Sequence, residues 1–231
     1  MSNWYQMAPG ITSPRTASHR SLFLQRSETF LAQGRFVGGA SSRDPGNTGD
    51  VNVLRIGLLM GKITSSGLYA PACLGVTTNA EAAGSTAIEA AAGVVTELVR
   101  RVGSTGTFKL TGPPTASGVV ATETVTYSAA SGTTITATAI INAYVAGSLI
   151  QPTDGSEAPL TMIPDTEGFG ILVTDIDGNN LTAVDFPRFP ISGIVDSSQL
   201  LPWPADASLK QWIIARLNDV FGGQFVFDHA Y

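Results

Sequence analysis

The sequence predicts a mainly β protein with some α. Its plan is a small β body in two distant halves, a C-terminal helix, an extended N-terminal arm and an inserted α+β module. Three observations predict this. "LRIGLLMGKITSSGLYAPA" (Leu54 to Ala72) reads as strand, tight Ser-Ser-Gly turn and strand, and "GFGILVTDIDGNNLTAVDF" has the same character about a hundred residues later. Between them lies a segment with its own helical and Thr-rich alternating patterns. Near the end, an apolar stripe at helical spacing follows a Pro- and Asp-containing start.

Residues 1–50 form the predicted arm. "APGITSPRTASHRS" and "GRFVGGASSRDPGNTGD" are rich in Gly, Pro, Ser and Thr and bracket one apolar piece, "LFLQRSETFLAQG". Such a composition buries too little surface to fold alone. It carries spaced anchors at Trp4, Tyr5, Leu22, Phe23, Leu24, Phe30, Leu31 and Phe36. An aromatic-bearing arm of this kind suits ordering on a protein partner.

Val51 to Thr78 supplies the first half of the β body. Residues 85–102 predict a helix capped by Ser85 or Thr86, with Glu89 completing a capping box. Ile88, Ala91, Val95, Leu98 and Val102 share its apolar face, and Gly93 weakens it. "GTFKLTG" and "TETVTYS" alternate as strands, with "GPPTASG" as the loop between them. "GTTITATAIINAYVAG" suits either one long strand or a strand followed by a short helix. Pro152 and Pro159 bound a linker, so residues 81–160 form the inserted module.

From residue 168 the β pattern resumes. "GILVTDI-DGNN-LTAVDF" predicts a hairpin, because Asp-Gly and Asn supply the positive φ of a tight turn. Pro187 and Pro190 argue against a central strand in "FPRFPISGIVDSS". Asp206 and Ser208 are capping candidates for a helix whose apolar face is Leu209, Trp212, Ile213, Leu217, Val220 and Phe221, ended by Gly222. "QFVFDHAY" reads as a final edge strand or a docked tail.

The chain has 231 residues, 43% of them hydrophobic and only 13% charged, with a net charge of −5. Few ionic groups face solvent, which suits contact with other protein chains. The balance is acidic and no basic patch stands out, which argues against direct nucleic-acid binding. No apolar run reaches the roughly 18 residues of a membrane span, and "MSNWYQMAPG" lacks the pattern of a signal peptide. Cys73, the one cysteine, reads as a small buried apolar residue.

Chemistry-bearing motifs are scarce. Asp175-x-Asp177-Gly-Asn179 resembles part of a calcium loop, but its glycine comes too early and no glutamate stands at the twelfth position. His19 and His229 are the only histidines and lie in opposite terminal segments. There is no G-x-S-x-G elbow, no clustered His and Cys set and no phosphate-binding glycine loop between a strand and a helix. The expectation is a non-enzyme with no catalytic residues, no metal and no cofactor.

Three features, in order, carry a resemblance. They are the Gly/Pro/Ser/Thr-rich arm, "LLMGKITSSGLYAPA" followed after the insertion by "GFGILVTDIDGNN", and "LLPWPADASLKQWIIARLNDVFGGQFVF". Together they resemble the head decoration (capsid cement) proteins of tailed bacteriophages, of the lambda type. The resemblance covers about 130 residues, roughly 50–80 and 160–231, and the arm in character. It departs over residues 81–160, where the family has a short connection.

The resemblance implies a β-barrel or β-tulip-like body in a homotrimer. Such a trimer sits on the outer surface of the expanded capsid at threefold and quasi-threefold positions and clamps neighbouring capsomers. The arm orders on the major capsid protein, with Trp4, Tyr5, Leu22, Phe23, Phe30 and Phe36 as its contacts. Leu201, Trp203 and Pro204 fall near the trimer interface, although Trp203 equally suits a core tryptophan stapling the helix. The insertion is expected to project outward. Two other readings compete: a phage tail, fibre or surface adhesin module whose Thr-rich segment binds carbohydrate, and a hydrolase.

Overall fold

The structure, a computed structural model, describes residues 43–55, 57–63, 65–113, 120–154 and 204–220, positions 200 and 202, and the short strands flanking these runs. Its elements are β1 (Thr29–Phe30), β2 (Arg35–Val37), β3 (Val53–Leu54), β4 (Leu59–Lys62), β5 (Tyr69–Pro71), β6 (Gly75–Val76), β7 (Ala87–Glu89), α1 (Ala92–Val102), β8 (Gly106–Gly112), β9 (Ala121–Ser131), β10 (Thr134–Ala137), β11 (Leu149–Pro152), β12 (Phe169–Ile171), β13 (Ile176–Asp177), β14 (Val184–Phe186), β15 (Pro190–Asp196), α2 (Ala207–Val220) and β16 (Phe225–Asp228). The protein is mainly β with some α.

A curled, wholly antiparallel half-barrel of six strands, in the order β6-β11-β8-β9-β10-β7, dominates the described residues. It uses residues from Gly75 to Pro152, so it begins a few residues ahead of the expected insertion. Strand alternation explains it. On β8, Phe108 and Leu110 are buried, and on β9 Val125 and Tyr127 are buried while Thr122, Thr124 and Thr126 are exposed. The buried face packs on α1 through Val94, Val95 and Leu98, and Ile88, Ile135, Tyr144 and Ile150 complete one cluster. The two edge strands meet: Thr77, just after β6, bridges Ala90, just after β7.

Helix α1 is shorter than the sequence predicts. Residues 87–89, expected as its first turn, pair with β10 in the register Ile88↔Ile135. The expected caps are used elsewhere, since Ser85 Oγ donates to the Ala87 carbonyl and to Glu81 Oε2. Glu89 makes no capping box, because its N–H donates to Glu81 Oε1 and its carboxylate accepts from Thr134 Oγ1. Sheet pairing overrides local helix preference, and the helix begins after Ala91 with no side-chain cap. The ambiguous segment after Gly132 resolves as strand β10, an irregular loop and strand β11.

The flanking segments form a five-stranded sheet, β12-β4-β5-β2-β14, a three-stranded sheet, β1-β15-β16, and the pair β13-β3. The predicted hairpin of β4 and β5 is present, with Lys62 opposite Tyr69. Gly67 takes φ +71° to close its turn, and the Gly67 and Leu68 positions bond back to Ile63.

One expectation is corrected here. The turn of the predicted Asp-Gly-Asn-Asn hairpin and the residues beside it fall on 172–175 and 178–183, outside the described residues; of its arms, β13 pairs with β3 and β14 with β2. Strand β15 is the central strand of its sheet, antiparallel to β1 and parallel to β16. Pro190 is tolerated because it is the first residue of β15, and the β16 pairing starts only at Gly193. As expected, β16 is an edge strand.

Among the described residues, the core cluster of the half-barrel lies between Leu74 and Ile150. A fragment spanning 69–154, which keeps the Arg101 partners Pro71 and Asp154, is expected to fold alone. Its thermal unfolding should be a single cooperative transition by circular dichroism. A compact state that binds anilinonaphthalene sulfonate and melts without cooperativity would contradict this.

Candidate functional site

Among the described residues, those with reactive potential are held in structural roles. Cys73 follows β5 and is 3% exposed. Burial pushes its thiol up to about 12, outweighing the opposing pull of Arg101 and of the Gln151 amide beside it. A thiol held neutral is a poor nucleophile. Burial likewise raises Tyr127 and lifts Tyr144 to about 12, with the Asn142 side chain opposing and Glu123 adding to the rise for Tyr144.

Arg101 is the most deeply placed cation in the half-barrel, its side chain 1% exposed at the C-terminal end of α1. Burial pulls the guanidinium below its usual value and Asp154 pulls it back. Nε donates to Asp154 Oδ2 at 2.7 Å, Nη2 lies 2.6 Å from the same oxygen, and Nη1 donates to the Pro71 carbonyl at 2.7 Å. One side chain thus ties the helix to the exit of β11 and to the last residue of β5, joining the half-barrel to the five-stranded sheet. One turn earlier, Glu97, itself buried, binds Arg100 through both carboxylate oxygens.

Two further carboxylates organise loops. Glu123 accepts from the Ile141 N–H at 2.7 Å, the Asn142 N–H at 3.2 Å, Asn142 Nδ2 and the Tyr144 hydroxyl. It thereby fixes the loop that carries Ile141, which is 78% exposed. Asp44, 2% exposed, accepts from Arg55 Nε at 2.5 Å, Arg55 Nη2 at 3.0 Å and the Gly46 N–H at 3.1 Å. Among the described residues no group of three or more His, Cys, Asp or Glu is placed to hold a metal ion. Likewise, among the described residues, no helix is long and apolar enough to cross a membrane.

Of the residues singled out in the sequence, Trp4, Tyr5, Leu22, Phe23, Leu201 and Trp203 lie outside the described residues, as do His19 and His229. Phe30 is in β1, opposite Pro190, and Phe36 is in β2, opposite Asp185. Both therefore sit in strands paired within this chain. Pro204 is buried just ahead of α2. There Asp206 is the cap: its Oδ1 accepts from the Leu209 N–H at 3.0 Å, and its carbonyl accepts from the Lys210 N–H. Leu209, Ile213 and Leu217 form the buried stripe of α2, and the Arg216 guanidinium lies over the half-buried Trp212 ring. The calcium-like Asp177 is in β13, opposite Val53.

Sequence reasoning missed the Arg101 joint and the Glu123 and Asp44 loop anchors. The partners of Arg101 are 30 and 53 positions away, and a basic residue in the last turn of a helix reads as ordinary. Only the Asp-Pro-Gly-Asn sequence at 44–47 carried a local turn signal. Comparison with known protein families, curated proteins and solved structures finds no match to this chain.

Proposed function

We propose that this chain is a structural virion protein: a capsid decoration, or cement, protein on the outer surface of an expanded phage head. In this reading it acts as a homotrimer at threefold and quasi-threefold sites and stabilises contacts between capsomers, with the major capsid protein as its partner. Its β body adopts the barrel-like decoration fold, and residues 81–160 project outward. It is not an enzyme, carries no cofactor and binds neither nucleic acid nor membrane directly.

The supporting observation is how the described polar groups are used. Arg101, Glu97, Glu123 and Asp44 are all engaged in holding helices and loops, and the Cys73 thiol is held neutral. A protein so built offers rigidity and surface, and its aromatic N-terminal segment offers anchors. Three weak arms on one trimer gain on the order of 10² to 10⁴ in avidity. The carbohydrate reading has less support, since Phe108, Tyr127 and Tyr144 of the Thr-rich segment all point into the core. The exposed Thr122, Thr124 and Thr126 lack the ring that sugars stack on.

Deleting residues 1–28 tests the proposal while sparing β1 and β2, which pair within the chain. The truncated protein is expected to remain a folded trimer by light scattering and to lose binding to expanded heads stripped of this polypeptide by at least about 10²-fold. Full occupancy of those heads by the truncated protein would overturn the reading, as would a strict monomer at micromolar concentration.

A further inference from the structure

Residues 44–52, just ahead of β3, are closed largely on themselves. The Asp44 N–H donates to the Val51 carbonyl at 2.8 Å and the Asn47 N–H to the Asp44 carbonyl at 3.0 Å. The Gly49 N–H donates to Asn47 Oδ1 and the Asn52 N–H to Asp50 Oδ1. The Asp44 carboxylate then grips Arg55. These bonds make a small loop whose two ends are pinned together, with an exposed outer side at residues 48–51.

This loop rests on α1 at one close approach. A Cβ placed on Gly93, the second residue of the helix, would lie 2.8 Å from the Pro45 carbonyl oxygen. That oxygen is backbone and cannot swing away as a side chain would. Glycine costs about 1 kcal/mol relative to alanine inside a helix, and here it makes room for the loop. The contact also suits the helix end electrostatically. The first turn of α1 has no side-chain cap and no acidic residue, and a carbonyl oxygen is the negative end of its dipole beside a positive helix terminus.

We infer that residues 44–52 form a clasp, seated on α1 through Gly93 and latched by Asp44–Arg55, that opens independently of the half-barrel. Gly93 is exposed and Pro45 half-buried, and residues 46–52 ahead of the buried Leu54 are exposed or half-buried, so lifting this loop uncovers little apolar area and falls at the low-energy end of local unfolding.

Limited trypsin digestion of the full chain, followed by mass spectrometry, tests this. While the clasp is shut, the Arg55 guanidinium is held by Asp44 and is withheld from the protease. Gly93→Val is expected to speed cleavage after Arg55 by at least about tenfold, because proteolysis tracks the open population. Asp44→Asn should act in the same direction by removing the latch. Cleavage after Arg100, Arg101 and Lys109 should not rise, and the thermal midpoint of the half-barrel should not fall. The inference is overturned if Arg55 cleavage is unchanged in both variants. It is equally overturned if cleavage after Arg100 and Lys109 rises in step, which would mean that clasp and half-barrel open as one unit. None of these outcomes depends on the proposed capsid role.

Discussion

Replacing Arg101 with methionine is expected to lower the unfolding free energy by about 3 kcal/mol, at the lower end of the range for breaking a buried ion pair. Methionine fills much of the same volume, so packing loss is small. What remains is the Asp154 carboxylate without its guanidinium and the Pro71 carbonyl without its donor. Asp154 is 18% exposed and can recover some hydration, which is why the lower end is expected. Lysine at 101 should lose less than methionine, because it keeps the charge but cannot serve carboxylate and carbonyl as a fork. Urea unfolding of the two variants checks both statements, and a methionine variant within about 1 kcal/mol of the parent would show that the pair contributes as little as a surface bridge.

Alkali is expected to weaken the protein through Cys73. The unfolded thiol ionises near its ordinary 9.0 and the folded thiol near 12. The folded pKa is the higher, so the contribution is complete below pH 9 and declines as pH rises towards 12. The loss is on the order of 1 kcal/mol by about pH 10 and a few kcal/mol across the whole interval, since each pKa unit is worth roughly 1 kcal/mol. Tyr144, raised from 10.0 to about 12, adds in the same direction at the upper end. Urea midpoints measured from about pH 8 to about pH 10.5 should fall for the parent and fall less for Cys73→Ala. Parallel curves for the two proteins would remove Cys73 as the cause. Consistent with its burial, the thiol should resist alkylation at pH 8 until the chain is unfolded.

The parts of this fold legible in the sequence are those decided locally. "GTFKLTG" is β8 because its alternation has a core face in Phe108 and Leu110. The hairpin of β4 and β5 has its turn glycine, and α2 has its Asp206 cap and its stripe of Leu209, Ile213 and Leu217. The parts that were not legible were decided at a distance. Residues 87–89 have helical composition but were recruited by Thr134 to Thr136. Val184 to Phe186 pairs with residues 35–37, a partner that no local pattern names. Pro190 disguised a central strand because its position at the strand start could not be read from composition. Gly93 looked like a defect in a helix, whereas its lack of a side chain makes room for Pro45. The Arg101 joint combines two long-range partners, and no local pattern encodes that.

The bridge from Thr77 to Ala90 has a consequence for crowded conditions. A sheet with bare rims offers free main-chain donors and acceptors to any extended neighbour and invites fibril growth. Here the two rims are stitched to each other, with the Thr78 N–H also donating to the Glu89 carbonyl. Copies of this module packed shoulder to shoulder at high local density would find little template for strand exchange along these two rims.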